Sequence, residues 1–166
     1  MSDDGNTTDE AAEAAPIVSP AIHGCPVTDS NGQEAIHVSA ERYLDVVKAL
    51  ADEGYVMCID LCGIDYLDFM DRALPADIKP ERFEVVVNLL DMGQRRRTRL
   101  RVQVAEADPT VASLFDLYPG TEAMEREAYD MFGILFADHP DLTRILMPED
   151  WIGHPLRKDY EVGRIP

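Results

Sequence analysis

The strongest constraint on the fold is a stretch in which apolar and charged residues alternate. Apolar side chains occupy every second position from Phe83 to Leu89 and again from Leu100 to Val104. The odd positions of the second predicted strand, residues 95–105, are polar up to residue 103, with arginines at 95, 97, 99 and 101 and a glutamine at 103. A period of two with one apolar face predicts an antiparallel hairpin that turns at residues 91–94 and has a wet outer face.

Two segments on either side of this hairpin carry helical periodicity. The first runs from Ala40 to Glu53 after a capping Ser39, and a strand from Tyr55 to Cys62 is expected to follow. The second begins at Thr121 and reaches about Phe132, where Gly133 is the expected end.

The remaining sequence is interpreted from its turn-forming residues. Residues 109–118 are expected to form a short helix after a capping Asp108, and residues 134–136 a short strand. Four residues keep the segment before Ser39 loop-like: Gly24, Pro26, Asn31 and Gly32. The sequence therefore predicts an α+β domain over residues 23–136, with two layers in which helices pack on a mostly antiparallel sheet.

Both ends of the chain differ in composition from this domain. Residues 1–22 contain five carboxylates and no Lys or Arg, which predicts a disordered acidic tail. Residues 137–166 contain prolines at 140, 148 and 155, which exclude long regular elements. An irregular, extended segment is expected there.

The formal net charge of -17 excludes several classes of partner. Nucleic-acid binding needs clustered Lys and Arg, and anionic lipid would repel such a chain. No stretch approaches the roughly 20 apolar residues of a membrane span, and no signal peptide is expected at the N-terminus. A membrane would be reached only through protein partners.

Residues able to bind metals or cofactors do not occur in ligand spacing. Cys58 and Cys62 are about 13 Å apart on an extended strand, which predicts buried structural thiols. Cys25 is expected to be a free surface thiol. The histidines at 23, 37, 139 and 154 form no ligand pair, and no phosphate loop or nucleophile elbow is present. No catalytic, cofactor-binding or metal-binding residue is expected.

Two charged features leave their interpretation open. Glu122, Arg126 and Asp130 lie at successive i, i+4 positions, which suits either a solvated ion-pair ladder or a face for a partner. The arginines of the hairpin suit either a solvated sheet face or a positive patch for an acidic protein.

Three blocks near the C-terminus carry a family resemblance. They are EREAYDMFGI at 125–134, F-x-x-H-P-x-L-x-R-I-L at 136–146 and GHPLRKDY at 153–160. In this order they resemble the C subunit family of proton-translocating NADH:quinone oxidoreductase, respiratory complex I. Because the chain stops at Pro166, the unfused form of that protein is expected.

The resemblance implies a non-catalytic structural subunit of the hydrophilic arm, peripheral on the cytoplasmic side of a bacterial membrane. Flavin and iron–sulfur clusters would lie in partner subunits and none in this chain. The partners would be other hydrophilic-arm subunits, especially the large quinone-site subunit. Alternatives are the matching subunit of a membrane-bound hydrogenase or related dehydrogenase, and a stand-alone small binding module.

Partner contacts are expected in and between the three blocks, with residues 137–166 docking on neighbours rather than completing the core of this domain. Charges of both signs suit intersubunit ion pairs, and Trp151 is the best single anchor. The expected docking residues are Glu125, Arg126, Glu127, Asp130, Phe132, His139, Pro140, Arg144, Trp151, His154, Arg157, Lys158 and Asp159.

Overall fold

The computed structural model describes residues 20–161, and its main element is a six-stranded sheet. The strands are β1 Ala21–Ile22, β2 Cys25–Asp29, β3 Glu34–Ser39, β4 Met57–Asp65, β5 Phe83–Asp91 and β6 Arg96–Val104. In space they follow the order β1-β2-β3-β6-β5-β4. Only β3 and β6 are parallel neighbours in this sheet, so the predicted mostly antiparallel α+β fold is confirmed.

The predicted hairpin forms the centre of the sheet. β5 and β6 pair from Phe83 opposite Val104 to Asp91 opposite Arg96, and the alternating apolar residues of the predicted pattern face one side, where they are buried. The helices α1 Tyr43–Asp52 and α2 Glu122–Phe132 supply the other layer of this core. Their contributions are Tyr43, Val46, Val47, Leu50 and Ala128.

The segment expected to be a loop between Ile22 and Ser39 is instead a β-hairpin. Asn31 and Gly32 both have positive φ, at 56° and 77°, as a tight turn between two strands requires. Asn31 and Gly32 therefore form the turn between β2 and β3, and the residues on both sides of them are strands. β1 shows that residues 21–22 belong to the sheet, while residues 1–19 of the expected tail lie outside the described part.

The prediction of a short helix over residues 109–118 is also wrong. Residues Thr110–Ala112 form strand β7, which pairs in parallel with β8 at Leu135–Ala137. The Leu135 N–H donates to the Pro109 carbonyl at 2.7 Å, and the Ser113 N–H donates to the Ala137 carbonyl at 2.8 Å. This pairing with a strand distant in sequence overrides the local periodicity.

The predicted ends of the two observed helices differ in outcome. α2 ends at Gly133, whose left-handed φ of 74° confirms the expected cap. α1 begins at Tyr43 after Arg42 with no side-chain cap, so the expected Ser39 cap is wrong. Within residues 20–161, neither helix is long and apolar enough to cross a membrane.

Gly63 in β4 sets how closely α2 approaches the sheet. A Cβ at this position would lie 2.7 Å from Cδ2 of Phe132 and 3.3 Å from Cδ1 of Ile134. Because Gly63 has no side chain, Phe132 at the end of α2 and Ile134 just beyond it can pack directly against β4.

Gly63→Ala should lower the free energy of unfolding by about 1–3 kcal/mol, because the added methyl group overpacks this contact. Urea unfolding measures the change. Gly120→Ala is the matched control, since a Cβ there meets nothing within 4 Å. Equal stability of the two variants would contradict the close packing of α2 on β4.

Candidate docking surface

The buried carboxylate of Asp130 on α2 fixes the course of the C-terminal segment, residues 138–161. One oxygen accepts hydrogen bonds from three consecutive backbone amides, those of Ile145, Leu146 and Met147, at 3.1, 2.8 and 2.8 Å. The other oxygen pairs with the guanidinium of Arg144. The Asp130 side chain is 0% exposed, so it is satisfied wholly by these partners.

Arg144 extends this anchor to the next part of the segment. Its second terminal nitrogen donates to the carbonyls of Trp151 and Gly153, both at 3.0 Å. The ring of His154 lies 3.0 Å from the Asp130 carbonyl oxygen. One planar guanidinium with its fixed donor geometry thus holds two stretches of irregular backbone together.

A second anchor fixes the end of the segment to the sheet. Arg82 forms a bidentate pair with Asp65 at 3.1 and 2.9 Å, and also donates to Asp159 at 2.7 Å. The backbone N–H of Lys158 donates to the same Asp65 at 2.9 Å. The Arg82 side chain is only 5% exposed, and its remaining nitrogen pairs with Glu106.

Hydrogen bonding keeps the anchoring carboxyls ionised. Burial alone would raise the pKa of Asp130, but the Met147 amide, the Arg144 guanidinium and the Leu146 and Ile145 amides outweigh it and hold the pKa below its usual range. Burial likewise opposes ionisation of Asp65, whose pKa is lowered by Arg82 and by the Lys158 and Leu67 amides. Both groups therefore stabilise the fold in their charged form.

These contacts pair many of the charges of the segment and of α2 within the chain, whereas the sequence suits intersubunit ion pairs. Arg157 donates to the Phe132 carbonyl at 2.6 Å, and Glu125 is buried against Ser113 and the Leu114 amide. With Asp130, Arg144 and Asp159, these charged side chains bind partners inside the chain. The segment is part of its own folded unit, and docking on a neighbour stays a prediction.

The proposed i, i+4 ladder is only partly formed. Arg126 pairs with Glu122 at 2.9 Å and also donates to the Thr143 and Arg144 carbonyls. Asp130 lies in the buried anchor instead of on a solvated face. Only the Glu122–Arg126 pair of the ladder is formed, and Arg126 also connects α2 to the C-terminal segment.

The other expected docking residues lie nearer the surface. Glu127, Pro140 and Lys158 are exposed, while Phe132, His139 and Trp151 are half-buried. His139 reaches the Glu122 carbonyl at 3.2 Å. Within residues 20–161, the buried indole nitrogen of Trp151 has no hydrogen-bond partner. Contact of these residues with a partner stays a prediction.

Four apolar side chains of the segment are strongly exposed, and they are not among the expected docking residues. Their exposed fractions are 41% for Ile145, 59% for Leu146, 86% for Ile152 and 50% for Leu156. The backbone of Ile145 and Leu146 is held directly by Asp130. The signal for them in the sequence is the number of apolar residues among prolines and charges, which supports a docking segment alongside the charge pattern.

The arginines of β6 do not form a purely solvated face. Arg101 binds the fully buried Glu84 through two hydrogen bonds, at 2.7 and 3.2 Å, and Arg99 donates to Asn88 at 3.0 Å. Arg97 is exposed. The outer face thus uses Arg101 for its own structure, and an acidic partner for Arg97 and Arg99 stays a prediction.

The cysteines differ from expectation in their exposure. Cys25 is 2% exposed, because β2 places it in the core, so the expected surface thiol is wrong. Cys62 is exposed on the outer face, and Cys58 is half-buried. Burial raises the pKa of the Cys58 thiol to about 11. Across residues 20–161 no cluster of three His, Cys, Asp or Glu side chains is arranged to hold a metal ion.

Comparison with known proteins places this geometry in a family. The model of the family described as respiratory-chain NADH dehydrogenase, 30 Kd subunit, matches residues 36–165. The chain belongs to this 30 kDa subunit family. Its match includes all the anchoring residues, from Asp65 and Arg82 to Asp130, Arg144 and Asp159.

Curated relatives in the 30 kDa subunit family share one name, the C subunit of NADH-quinone oxidoreductase. The relative from Roseiflexus castenholzii is 46% identical over 139 residues, which cover 82% of this chain and 74% of the relative. The relative from Salinispora arenicola is 40% identical over 167 residues, covering 98% and 64%. The chain thus spans less than two thirds of the length of the second relative.

Two solved structures share the fold of this chain. The trypsin-resistant fragment of Nqo5 aligns with a TM-score of 0.64 at 34% identity, over 72% of this chain and 90% of the fragment. A chain of the archaeal membrane-bound sulfane sulfur reductase aligns with a TM-score of 0.63, over 83% of this chain and 78% of that chain. At 16% identity, the second likeness shows the fold alone.

Asp130→Asn should destabilise the protein by about 3 kcal/mol, because it leaves the partly buried Arg144 without its counter-charge. Urea unfolding measures the loss, and hydrogen exchange should report faster opening at the amides of residues 145–147. Asp141→Asn, an exposed change of the same kind in the same segment, is the control and should be near neutral.

The pH dependence of stability, compared between wild type and Asp130→Asn, tests the role of the carboxylate charge. Because the folded-state pKa of Asp130 is lowered, its contribution is fully present above the unfolded-state pKa of about 3.9 and is lost as the pH falls through the folded value. The stability gap between wild type and Asp130→Asn should therefore narrow below about pH 4. A gap that stays constant down to about pH 2 would show that the charge of Asp130 is not what stabilises the anchor.

Proposed function

We propose that this chain is a non-catalytic structural subunit in the hydrophilic arm of a bacterial NADH:quinone oxidoreductase, peripheral on the cytoplasmic side of the membrane. It braces the large quinone-site subunit and the iron–sulfur subunits. In the assembled enzyme, electrons then pass from NADH to quinone with proton translocation. Membership of the 30 kDa subunit family and relatives named as the C subunit of NADH-quinone oxidoreductase support this assignment.

The observation that carries the proposal is the set of exposed apolar residues in the C-terminal segment, Ile145, Leu146, Ile152 and Leu156. Four such side chains within twelve positions are unfavourable in water, and completing the burial of each one could contribute on the order of 1 kcal/mol. Large apolar side chains grouped in this way mark protein–protein contacts.

The anchors explain how this surface is presented to a partner. The Asp130 hydrogen bonds fix the backbone of Ile145 and Leu146, and the Arg144 hydrogen bonds fix the backbone on both sides of Ile152. The Leu156 N–H donates to the Met131 carbonyl at 3.1 Å. A partner would therefore meet a surface that is already ordered, and little conformational entropy would be lost on binding. This is the property that a bracing subunit needs.

We also propose that flavin and iron–sulfur clusters belong to partner subunits and not to this chain. A β-bulge lies between Cys58 and Asp60, so that Cys58 packs against the core while Cys62 is exposed on the outer face of β4. Thiols on opposite faces of a strand are poorly placed to bind one metal ion. Anaerobic purification of the full chain, followed by iron analysis and a visible spectrum, tests this. Stoichiometric iron or bound flavin would contradict it.

The docking proposal is tested with Leu146→Glu and Ile152→Glu in one chain. Both side chains are more than half exposed, so the unfolding free energy of the isolated protein should change by no more than about 0.5 kcal/mol. Charges placed within a desolvated contact should weaken assembly by at least roughly tenfold. The measurement is the amount of NADH:quinone oxidoreductase activity that co-purifies with the tagged chain from its native host.

Val56→Glu with Met92→Glu forms the matched control. These apolar residues are 66% and 61% exposed but lie outside the segment, so the control chain should assemble normally. Normal assembly of the Leu146 and Ile152 variant, or equal loss in the control, would overturn the proposed docking surface. A wild-type chain that co-purifies with no NADH-oxidising complex would overturn the proposed function itself.

A further inference from the structure

A groove of about 540 Å³ opens at one end of the main sheet, and none of the four exposed apolar residues of the docking surface lines it. It lies where β3 and β6 end and where the small β7–β8 pair begins. Its apolar lining includes Val38, Val111 and Ala137. This volume falls within the range of pockets that accept small ligands or short peptide segments.

One wall of the groove is the unpaired edge of β7. In a parallel pair, alternate residues direct their peptide groups to the neighbouring strand. The bonds of Pro109 and Ser113 to β8 show that residues 109, 111 and 113 face that neighbour. The N–H and C=O groups of Thr110 and Ala112 therefore point away from β8. On that side, no other strand within residues 20–161 pairs with β7. Both residues line the groove.

The rim of the groove is acidic. Glu41, Asp77, Glu81 and Asp108 line it, together with a single cation, Lys79. The Lys79 ammonium lies 2.7 Å from Glu81, so it is already matched by one of these four carboxylates. Glu41, Asp77 and Asp108 are exposed and have no salt-bridge partner among the described residues.

We propose that this groove binds an extended, basic segment of a partner protein, which pairs as an added strand with β7. The free peptide groups of Thr110 and Ala112 supply backbone hydrogen bonds, and the rim selects Lys or Arg. Alternate side chains of the added strand reach the apolar lining. The inference deepens the proposed function by naming the chemistry of a second contact, and rests on it for the identity of the partner as another subunit.

The test uses the full chain and a synthetic peptide of about eight residues in which lysine and valine alternate, long enough to pair along the β7 edge. Titration calorimetry at low salt should show binding, and the amide NMR signals of Thr110 and Ala112 should shift on addition. A peptide of alternating glutamate and valine should not bind. A lysine–valine peptide methylated at alternate backbone nitrogens keeps its charge but loses its strand-pairing donors, so it should bind about tenfold more weakly.

Matched protein variants separate charge from folding. Asp77→Lys with Asp108→Lys should weaken binding of the lysine–valine peptide at least about tenfold. The control is Asp52→Lys with Asp68→Lys, which makes the same change of charge at exposed residues that do not line the groove. It should leave the affinity within about twofold, since long-range effects of surface charge are screened.

Four results would overturn the inference: no binding of the lysine–valine peptide, equal binding of the acidic peptide, equal binding of the methylated peptide, or self-association of the chain through the β7 edge without peptide. These measurements do not depend on assembly of an oxidoreductase. A chain that binds the peptide as expected but never enters such a complex would support the groove and overturn the proposed function.

Discussion

The buried carboxylate of Asp130 is the interaction on which the C-terminal segment depends. A chain with prolines at 140, 148 and 155 cannot satisfy its backbone amides in a helix or a central strand. Three consecutive amides therefore donate to one side chain of α2, and Arg144 balances its charge while binding two further carbonyls. Removing the carboxylate would leave those three amides and the guanidinium without their main partner.

The same solution recurs in the rest of this acidic chain. Asp65 is buried against Arg82, and Glu84 is buried against Arg101 and Gln103. Each of these buried carboxylates has at least two donors, so its desolvation is offset locally. Arg82, Arg101 and Arg144 therefore pair with carboxylates inside the chain. The large negative net charge of the chain repels anionic lipid and nucleic acid.

What can be predicted from the sequence depends on how local the stabilising interaction is. The β5–β6 hairpin and α2 with its Gly133 end follow from periodicity and a turn or cap within the element. The β2–β3 hairpin also has a local signal, the Asn31-Gly32 pair, which indicates a strand connection only when strands are recognised on both sides of it. β7 has no such signal, because its partner β8 lies more than twenty residues away. The candidate site shows the same limit more sharply, since nothing in the spacing of Asp65, Arg82 and Asp159 shows that they meet. Charges close together among prolines suit a partner as well as they suit the ordering of irregular backbone, and composition alone cannot separate these two uses.

The pairing of these charges within the chain changes how the proposed contact should depend on salt. If the ion pairs of the segment crossed an interface, salt would weaken association strongly. Because Asp130, Arg144 and Asp159 already have partners within the chain, the apolar side chains that a partner can bury there are Ile145, Leu146, Ile152 and Leu156, beside exposed carboxylates such as Glu149 and Asp150. Burial of apolar surface supplies binding free energy that moderate salt screens little. The groove beside β7 has the opposite character, since its rim is charged and its hydrogen-bonding groups are free. One small domain could therefore make two contacts of different chemistry, one stabilised mainly by apolar burial and one in which charge selects a basic neighbour.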